Sequence, residues 1–173
     1  MPAPGCGVLR RQREIEDLEA SLGLEYVPFE QVMREADFVS VHTPLTPETR
    51  GLLGREAFKM MKPTGIVINT ARGPIIDSEA LVEALENGTI GGAALDVTDP
   101  EPLPAEHPLV RLPNCIVVPH IASASHQTRT RMAEIAAQNL LAGLRGEPLP
   151  CGLNTEAAGT GRQTLPRAYE LAG

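Results

Sequence analysis

The chain has no tryptophan and only three phenylalanines and two tyrosines. A binding mode built on stacking bases against aromatic rings is therefore not expected. Cysteine is almost as scarce. Cys6, Cys115 and Cys151 are odd in number and far apart, which argues against a disulfide frame and for a reducing, cytoplasmic compartment. No two cysteines have metal-ligand spacing, and His42, His107, His120 and His126 form no short zinc pattern, so no metal is expected. No apolar run approaches the length of a membrane span, and residues 1–13 lack the apolar core of a secretory signal. A formal net charge of -7 opposes nonspecific nucleic-acid binding. What remains is an ordinary composition, 42% hydrophobic and 21% charged over 173 residues, enough for one domain with a real core.

The apolar pattern alternates between two periods. Residues 1–7 are rich in Pro and Gly and read as loose, and residues 1–24 as a whole form a loose N-terminal segment. Glu25-Tyr26-Val27 suggests a short strand. Phe29, Val32, Met33 and Ala36 recur at helical spacing. Residues 38–41 read as a buried strand, 46–49 as a turn or a helix start, and 56–61 as a helix stopped by Lys62-Pro63. Strands are expected at 66–68, 90–97 and 115–118. Asp77 or Ser78 should cap a helix closed by Asn87-Gly88, and Ser125 or Thr128 a longer one ended by Gly146. On that helix Met132, Ile135, Ala136, Leu140 and Leu144 share a face. Residues 98–113 read as a Pro-rich loop. Alternating strands and helices imply α/β architecture: a partial doubly wound, Rossmann-like parallel sheet with flanking helices, its continuous apolar strands buried on both faces. The sheet should occupy residues 25–146, with residues 147–173 as a C-terminal tail.

Three polar residues each follow one of these strands. They are Arg72 in Asn-Thr-Ala-Arg-Gly, Glu101 in Asp-Pro-Glu-Pro and His120 in Val-Val-Pro-His. Each alone reads as a loop residue. In open α/β sheets, however, function sits beyond the carboxyl ends of the strands, and all three fall there. Arginine can grip a carboxylate through two parallel hydrogen bonds. Histidine can pass a proton near neutral pH, and a glutamate beside it can hold the protonated form. These parts suit reduction of a 2-keto acid if a hydride donor binds nearby. Asp96 ends its strand in an apolar context, so its carboxylate must be hydrogen-bonded or face a ligand. Asn69 and Thr70 read as turn residues.

The strings Asn69-Thr70-Ala71-Arg72-Gly73, Ala94-Leu95-Asp96-Val97 with Glu101-Pro102, and Pro119-His120-Ile121-Ala122-Ser123 resemble the D-isomer-specific 2-hydroxyacid dehydrogenases. So does the turn His42-Thr43-Pro44-Leu45-Thr46. Pro100-Glu101-Pro102-Leu103-Pro104 and Leu140 to Pro148 are most similar to the glyoxylate/hydroxypyruvate reductases. The resemblance spans roughly residues 25–153. It implies an NAD(P)-dependent oxidoreductase that reduces glyoxylate or hydroxypyruvate, with His120 as proton donor, Glu101 orienting it, and Arg72 holding the substrate carboxylate. It also implies cofactor contacts at Thr43, Pro44, Thr70, Ala71, Asp96, Ala122 and Ser123. Substrate contacts fall at Arg72, His120 and Ser123, and the complete protein should be a cytoplasmic homodimer.

One family feature is missing. No Gly-x-Gly-x-x-Gly string occurs; Gly5-Cys6-Gly7 has Arg10 where a third glycine belongs. The family's first strand, which lies beside residues 38–41, is also not evident, which leaves that strand's edge bare. The chain therefore looks like the C-terminal half of such an enzyme, inactive alone. Arg10, Arg11 and Arg13 fall where the family places a basic loop that receives the 2′-phosphate of NADP, which favours NADP over NAD. Two alternatives keep the same polar trio: a noncatalytic, dinucleotide-sensing binding module of the corepressor type, and an inert truncated form.

Overall fold

A computed structural model describes residues 6–9 and 25–153. Five strands, β1 (Cys6–Leu9), β2 (Phe38–Val41), β3 (Ile66–Asn69), β4 (Gly92–Leu95) and β5 (Cys115–Val117), form one sheet. Their spatial order is their chain order, and every pairing is parallel. Between them lie helices α1 (Phe29–Glu35), α2 (Arg55–Met60), α3 (Ser78–Glu86) and the single turn α4 (Pro108–Arg111). A 3-10 turn covers Gly73–Ile75. The α/β reading is borne out.

Local signals explain most boundaries. The Asp77 side chain accepts the Ala80 N–H at 3.0 Å and starts α3, while Gly88, at φ 65°, supplies the left-handed residue beyond its end. Lys62-Pro63 closes α2 as expected. Three readings of local structure change, and one of burial. Residues 25–28 are irregular, and no strand forms at Glu25-Tyr26-Val27. The expected Pro-rich loop holds α4, because Pro108 fits a first helical turn, the His107 ring nitrogen accepts the Leu109 N–H, and Leu109 is buried. Cys6–Leu9, inside the segment expected to be loose, pairs with β2 from Cys6↔Phe38 to Leu9↔Val41. An open edge of unpaired N–H and C=O groups is a template for any short apolar segment that can reach it.

The two-sided burial expected of the strands does not form. Along the register, Val39, Val41, Val67, Asn69, Ala93 and Leu95 share one face and are all buried. Phe38, Ser40, Ile66, Ile68 and Ala94 share the other and are half-buried, and Ile116 on that face is 66% exposed. The cause is topological. A parallel sheet whose strands follow chain order turns the same way at every right-handed crossover, so its connecting helices gather on one side. Val32 and Met33 of α1, Ala57 and Phe58 of α2, and Leu81 and Leu85 of α3 form one cluster with the buried face.

The chain divides into two compact units, Met1–Ala122 and Ser123–Gly173. The sheet belongs to the first. The second holds α5 (His126–Arg145), capped by the Ser125 hydroxyl on the Thr128 N–H and closed by Gly146 at φ 74°. On its expected apolar face Met132, Leu140 and Leu144 are exposed, the last at 72%, and Ala142 is its one buried residue. Periodicity marks such a stripe without saying what covers it. None of the described helices is long and apolar enough to cross a membrane.

Two measurements check this packing. Phe58 is fully buried between helix and sheet, so Phe58→Ala should lower unfolding free energy by about 3–5 kcal/mol in urea titration. Cys115 is partly buried in β5, and desolvation pushes its thiol from the usual 9.0 to about 11. Below the lower value both folded and unfolded chains keep this proton. Above it the unfolded chain loses the proton first, so stability should fall as pH rises from about 9 to about 11. Cys115→Val should remove that part of the slope when both proteins are unfolded in urea at several pH values.

Candidate active site

Parallel strands deliver their carboxyl ends to one edge of the sheet. Four loops of the first unit start there: His42-Thr43-Pro44 after β2, Thr70-Ala71-Arg72-Gly73 after β3, Asp96 onward after β4, and Val118 to Ala122 after β5. Backbone hydrogen bonds tie three of them in series. The Asp96 N–H donates to the Asn69 carbonyl at 2.9 Å. The Val118 N–H donates to the Leu95 carbonyl at 2.9 Å, and the His120 N–H to the Asp96 carbonyl at 3.0 Å.

Arg72 is exposed, and its loop is shaped by Asn69, which is 0% exposed. The Asn69 Oδ1 accepts the Ala71 N–H at 3.0 Å, and its Nδ2 donates to the Arg72 carbonyl at 2.9 Å. Such side-chain-to-backbone bonds two residues on are what make Asn a turn former. The Arg72 guanidinium donates once to the Ala71 carbonyl. The rest of its fork has no partner among the described residues and is available to an anion. Gly73 locks this loop to the next one. A Cβ there would lie 1.9 Å from the Thr98 carbonyl oxygen, so only glycine permits the approach. Beyond Thr98 the backbone is held by the Thr98 hydroxyl on the Pro100 carbonyl and the Ser78 hydroxyl on the Asp99 carbonyl.

That backbone carries Glu101. Its Oε1 lies 2.7 Å from His120 Nδ1. An ionised carboxylate only accepts, so Nδ1 carries the hydrogen and Nε2 is left facing away from the glutamate. Both side chains are about half exposed, 49% and 44%, so the pair is worth at most about 1 kcal/mol to stability. What it contributes is orientation of the ring. Glu101 and His120 are thus brought together as the sequence suggested. Arg72 sits on the same edge, joined through Asn69 and Asp96.

The remaining candidates fall as follows. Thr43 is buried, and its hydroxyl has no partner among the described residues; an orphaned buried hydroxyl on the ligand edge of a sheet suits a polar group of a bound molecule. Pro44 is exposed, and its carbonyl accepts the Thr49 hydroxyl at 2.7 Å, which fixes the turn. Thr70 is exposed, and the Ala71 N–H is already spent on Asn69. Asp96 is buried, with both carboxylate oxygens bound by loop amides of Ile121 and Ala122. Ala122 ends the first unit and Ser123 begins the second. Arg10, Arg11 and Arg13 lie outside the described residues. Asn69 forms a turn as its sequence reading suggested, whereas sequence reasoning missed the Gly73–Thr98 contact and a bond between Ser40 Oγ and His42 Nε2 at 2.8 Å.

A parallel α/β sheet with an arginine and a hydrogen-bonded Glu–His pair beyond the carboxyl ends of its strands has the architecture of a dinucleotide-binding fold. Residues 4–122 match the family described as D-isomer specific 2-hydroxyacid dehydrogenase, NAD binding domain, and the chain belongs to that family. It is 52% identical over 141 residues to the glyoxylate reductase of Korarchaeum cryptofilum, covering 82% of this chain and 42% of that protein. It is 48% identical over 134 residues to the glyoxylate reductase/hydroxypyruvate reductase of Homo sapiens, covering 78% and 41%. Among solved structures, the TT0316 protein of Thermus thermophilus superposes with a TM-score of 0.75 at 50% identity, over 84% of this chain and 44% of that one. The NAD-complexed D-isomer specific 2-hydroxyacid dehydrogenase of Lactobacillus delbrueckii ssp. bulgaricus gives 0.72 at 31% identity, over 81% and 46%. The chain thus spans about two fifths of the length of the curated relatives it matches.

The loop contact gives a direct check. Gly73→Ala must push the Arg72 loop off Thr98, and it should cost about 1–3 kcal/mol of unfolding free energy by denaturant titration. An unchanged midpoint would mean the two loops are not in contact in solution.

Proposed function

We propose that this chain is the catalytic-edge half of an NAD(P)-dependent reductase that converts a small 2-keto acid, glyoxylate or hydroxypyruvate, to the 2-hydroxy acid. The observation that carries the reading is the 2.7 Å His120–Glu101 pair on the same sheet edge as Arg72, in a chain about half identical to glyoxylate reductases. Arg72 takes the substrate carboxylate through the part of its guanidinium fork not spent on the Ala71 carbonyl. His120, its ring held at Nδ1 by Glu101, gives the proton on Nε2 to the oxygen that becomes the hydroxyl. Glu101 stabilises the charged ring before that transfer. When bound, a nicotinamide dinucleotide supplies the hydride.

The residues present fit part of that cofactor. The orphaned Thr43 hydroxyl offers a polar contact on the ligand edge, and Pro44, Thr70, Ala71, Asp96, Ala122 and Ser123 are the positions the resemblance adds. The pyrophosphate has no glycine-rich turn to receive it, since no Gly-x-Gly-x-x-Gly occurs in the sequence. We therefore read the chain alone as inactive; Arg10, Arg11 and Arg13 favour NADP as the cofactor of the complete enzyme, and the resemblance favours a cytoplasmic homodimer.

The test joins this chain, as the C-terminal half, to the N-terminal part of the Korarchaeum cryptofilum reductase and follows NADPH oxidation with hydroxypyruvate. The fusion should turn over and the chain alone should not. In the fusion, His120→Ala should lower kcat by about 100-fold or more, and Arg72→Ala should mainly raise KM for the keto acid. Wild-type kcat/KM in either variant would remove the role assigned to that residue.

A further inference from the structure

Three successive amides of the His120 loop converge on one residue. The His120 N–H donates to the Asp96 main-chain carbonyl at 3.0 Å. The Ile121 N–H reaches Asp96 Oδ1 at 2.6 Å, and the Ala122 N–H reaches Oδ2 at 3.0 Å. Consecutive amides turned to one side form a concave anion site, and here the anion is supplied by the protein. Asp96 is 5% exposed at the end of β4, so its charge is balanced by these donors.

The backbone they hold is unusual. His120 has φ 53°, and it is the one non-glycine residue with positive φ among the described residues. An L-residue in the left-handed region crowds its own Cβ and stays there only if its surroundings insist. His120 has no helical context to insist, and it follows Pro119, which has no N–H to donate. The His120 N–H is shared between the Asp96 carbonyl at 3.0 Å and the Val118 carbonyl at 3.1 Å, and the Ile121 and Ala122 bonds to the Asp96 carboxylate set the direction of the chain beyond it. Released, the loop would relax to negative φ and swing the imidazole off Glu101.

We propose that Asp96 is a positioning residue for the proton donor: its carboxylate clamps the Ile121 and Ala122 amides and so keeps His120 left-handed, with Nδ1 on Glu101. This deepens the reductase reading and rests on it for the meaning of His120, but the clamp itself can be measured without turnover. It gives the buried acid a task in proton transfer, through His120, separate from any contact it makes with a cofactor.

The experiment is NMR of the isotopically labelled 173-residue chain with Asp96→Asn. Asparagine keeps the shape but offers one accepting oxygen, and its amide group opposes the second N–H. The expected result has three parts. The Ile121 and Ala122 amide resonances move. The Cα and Cβ shifts of His120 lose the positive-φ pattern, and its ring changes from one Nδ1–H tautomer to a mixture. The amides of Val39, Val67 and Ala93 stay in place and show that the sheet is folded. A His120 whose backbone shifts and tautomer are unchanged overturns the proposal while leaving the reductase reading intact. If Asp96→Asn is too unstable for spectra, a thermal double-mutant cycle decides. Asp96→Asn should lower Tm more in a His120→Gly background, where no left-handed strain is relieved when the loop is released, whereas equal drops in both backgrounds would mean that Asp96 is merely structural. In the active fusion, Asp96→Asn should lower kcat by about tenfold or more and leave KM for the keto acid within about twofold. A rise in cofactor KM alone would make it a cofactor contact and nothing else.

Discussion

Parallel pairing in chain order is the constraint on which the rest of this molecule depends. Because β2, β3, β4 and β5 all run one way in register, their following loops must begin on one edge, however far apart they lie in sequence. Arg72, Glu101 and His120 are separated by 29 and 19 positions, and no local interaction could assemble them. The sheet does so as a consequence of its hydrogen-bond pattern. The same pattern bonds loop to loop, from Asn69 to Asp96 to His120, so a change at one strand end is felt at the next.

Energetics explain why the edge is built from buried polar residues. The exposed His120–Glu101 pair adds little stability, since solvent screens it. The order comes from beneath, where Asn69 and Asp96 satisfy loop amides and carbonyls that would otherwise cost about 1–3 kcal/mol each when shielded from water. Gly73 adds shape to this chemistry by letting one loop touch the backbone of another. A rigid base of satisfied buried groups thus carries a half-exposed tip that is free to meet a ligand, which is the arrangement precise positioning requires.

The single-sided core follows from the same topology. All crossovers turn alike, so helices crowd one face and leave Ile116 and its neighbours on the other less covered. Apolar runs such as Phe38–Val41 look identical in sequence whether one face or two are buried, which is why two-sided burial was the natural reading. Cys6–Leu9 was illegible for a related reason. Four residues that include a glycine and directly follow Pro4-Gly5 carry little strand propensity of their own, and their strand exists because β2 offers an edge to pair with. The α5 stripe was legible as a stripe, yet Leu140 and Leu144 remain exposed, since periodicity describes one partner of a contact only.

By itself, the sequence determined most of the elements between residues 29 and 145 and several of their ends, because caps, prolines and apolar periods act over three or four residues. Asp77, Gly88, Pro63 and Ser125 are cases in which a local rule sufficed. It also carried the chemistry of the candidate site, because arginine, glutamate and histidine keep their donor and acceptor character wherever they fall. Tertiary structure alone decided which face was buried, which segment filled the β2 edge, and how His120 is held. Those outcomes depend on groups distant in the chain, such as Asp96 reaching Ile121 and Ala122 across 25 and 26 positions, and the closing of such long loops is driven by the fold as a whole.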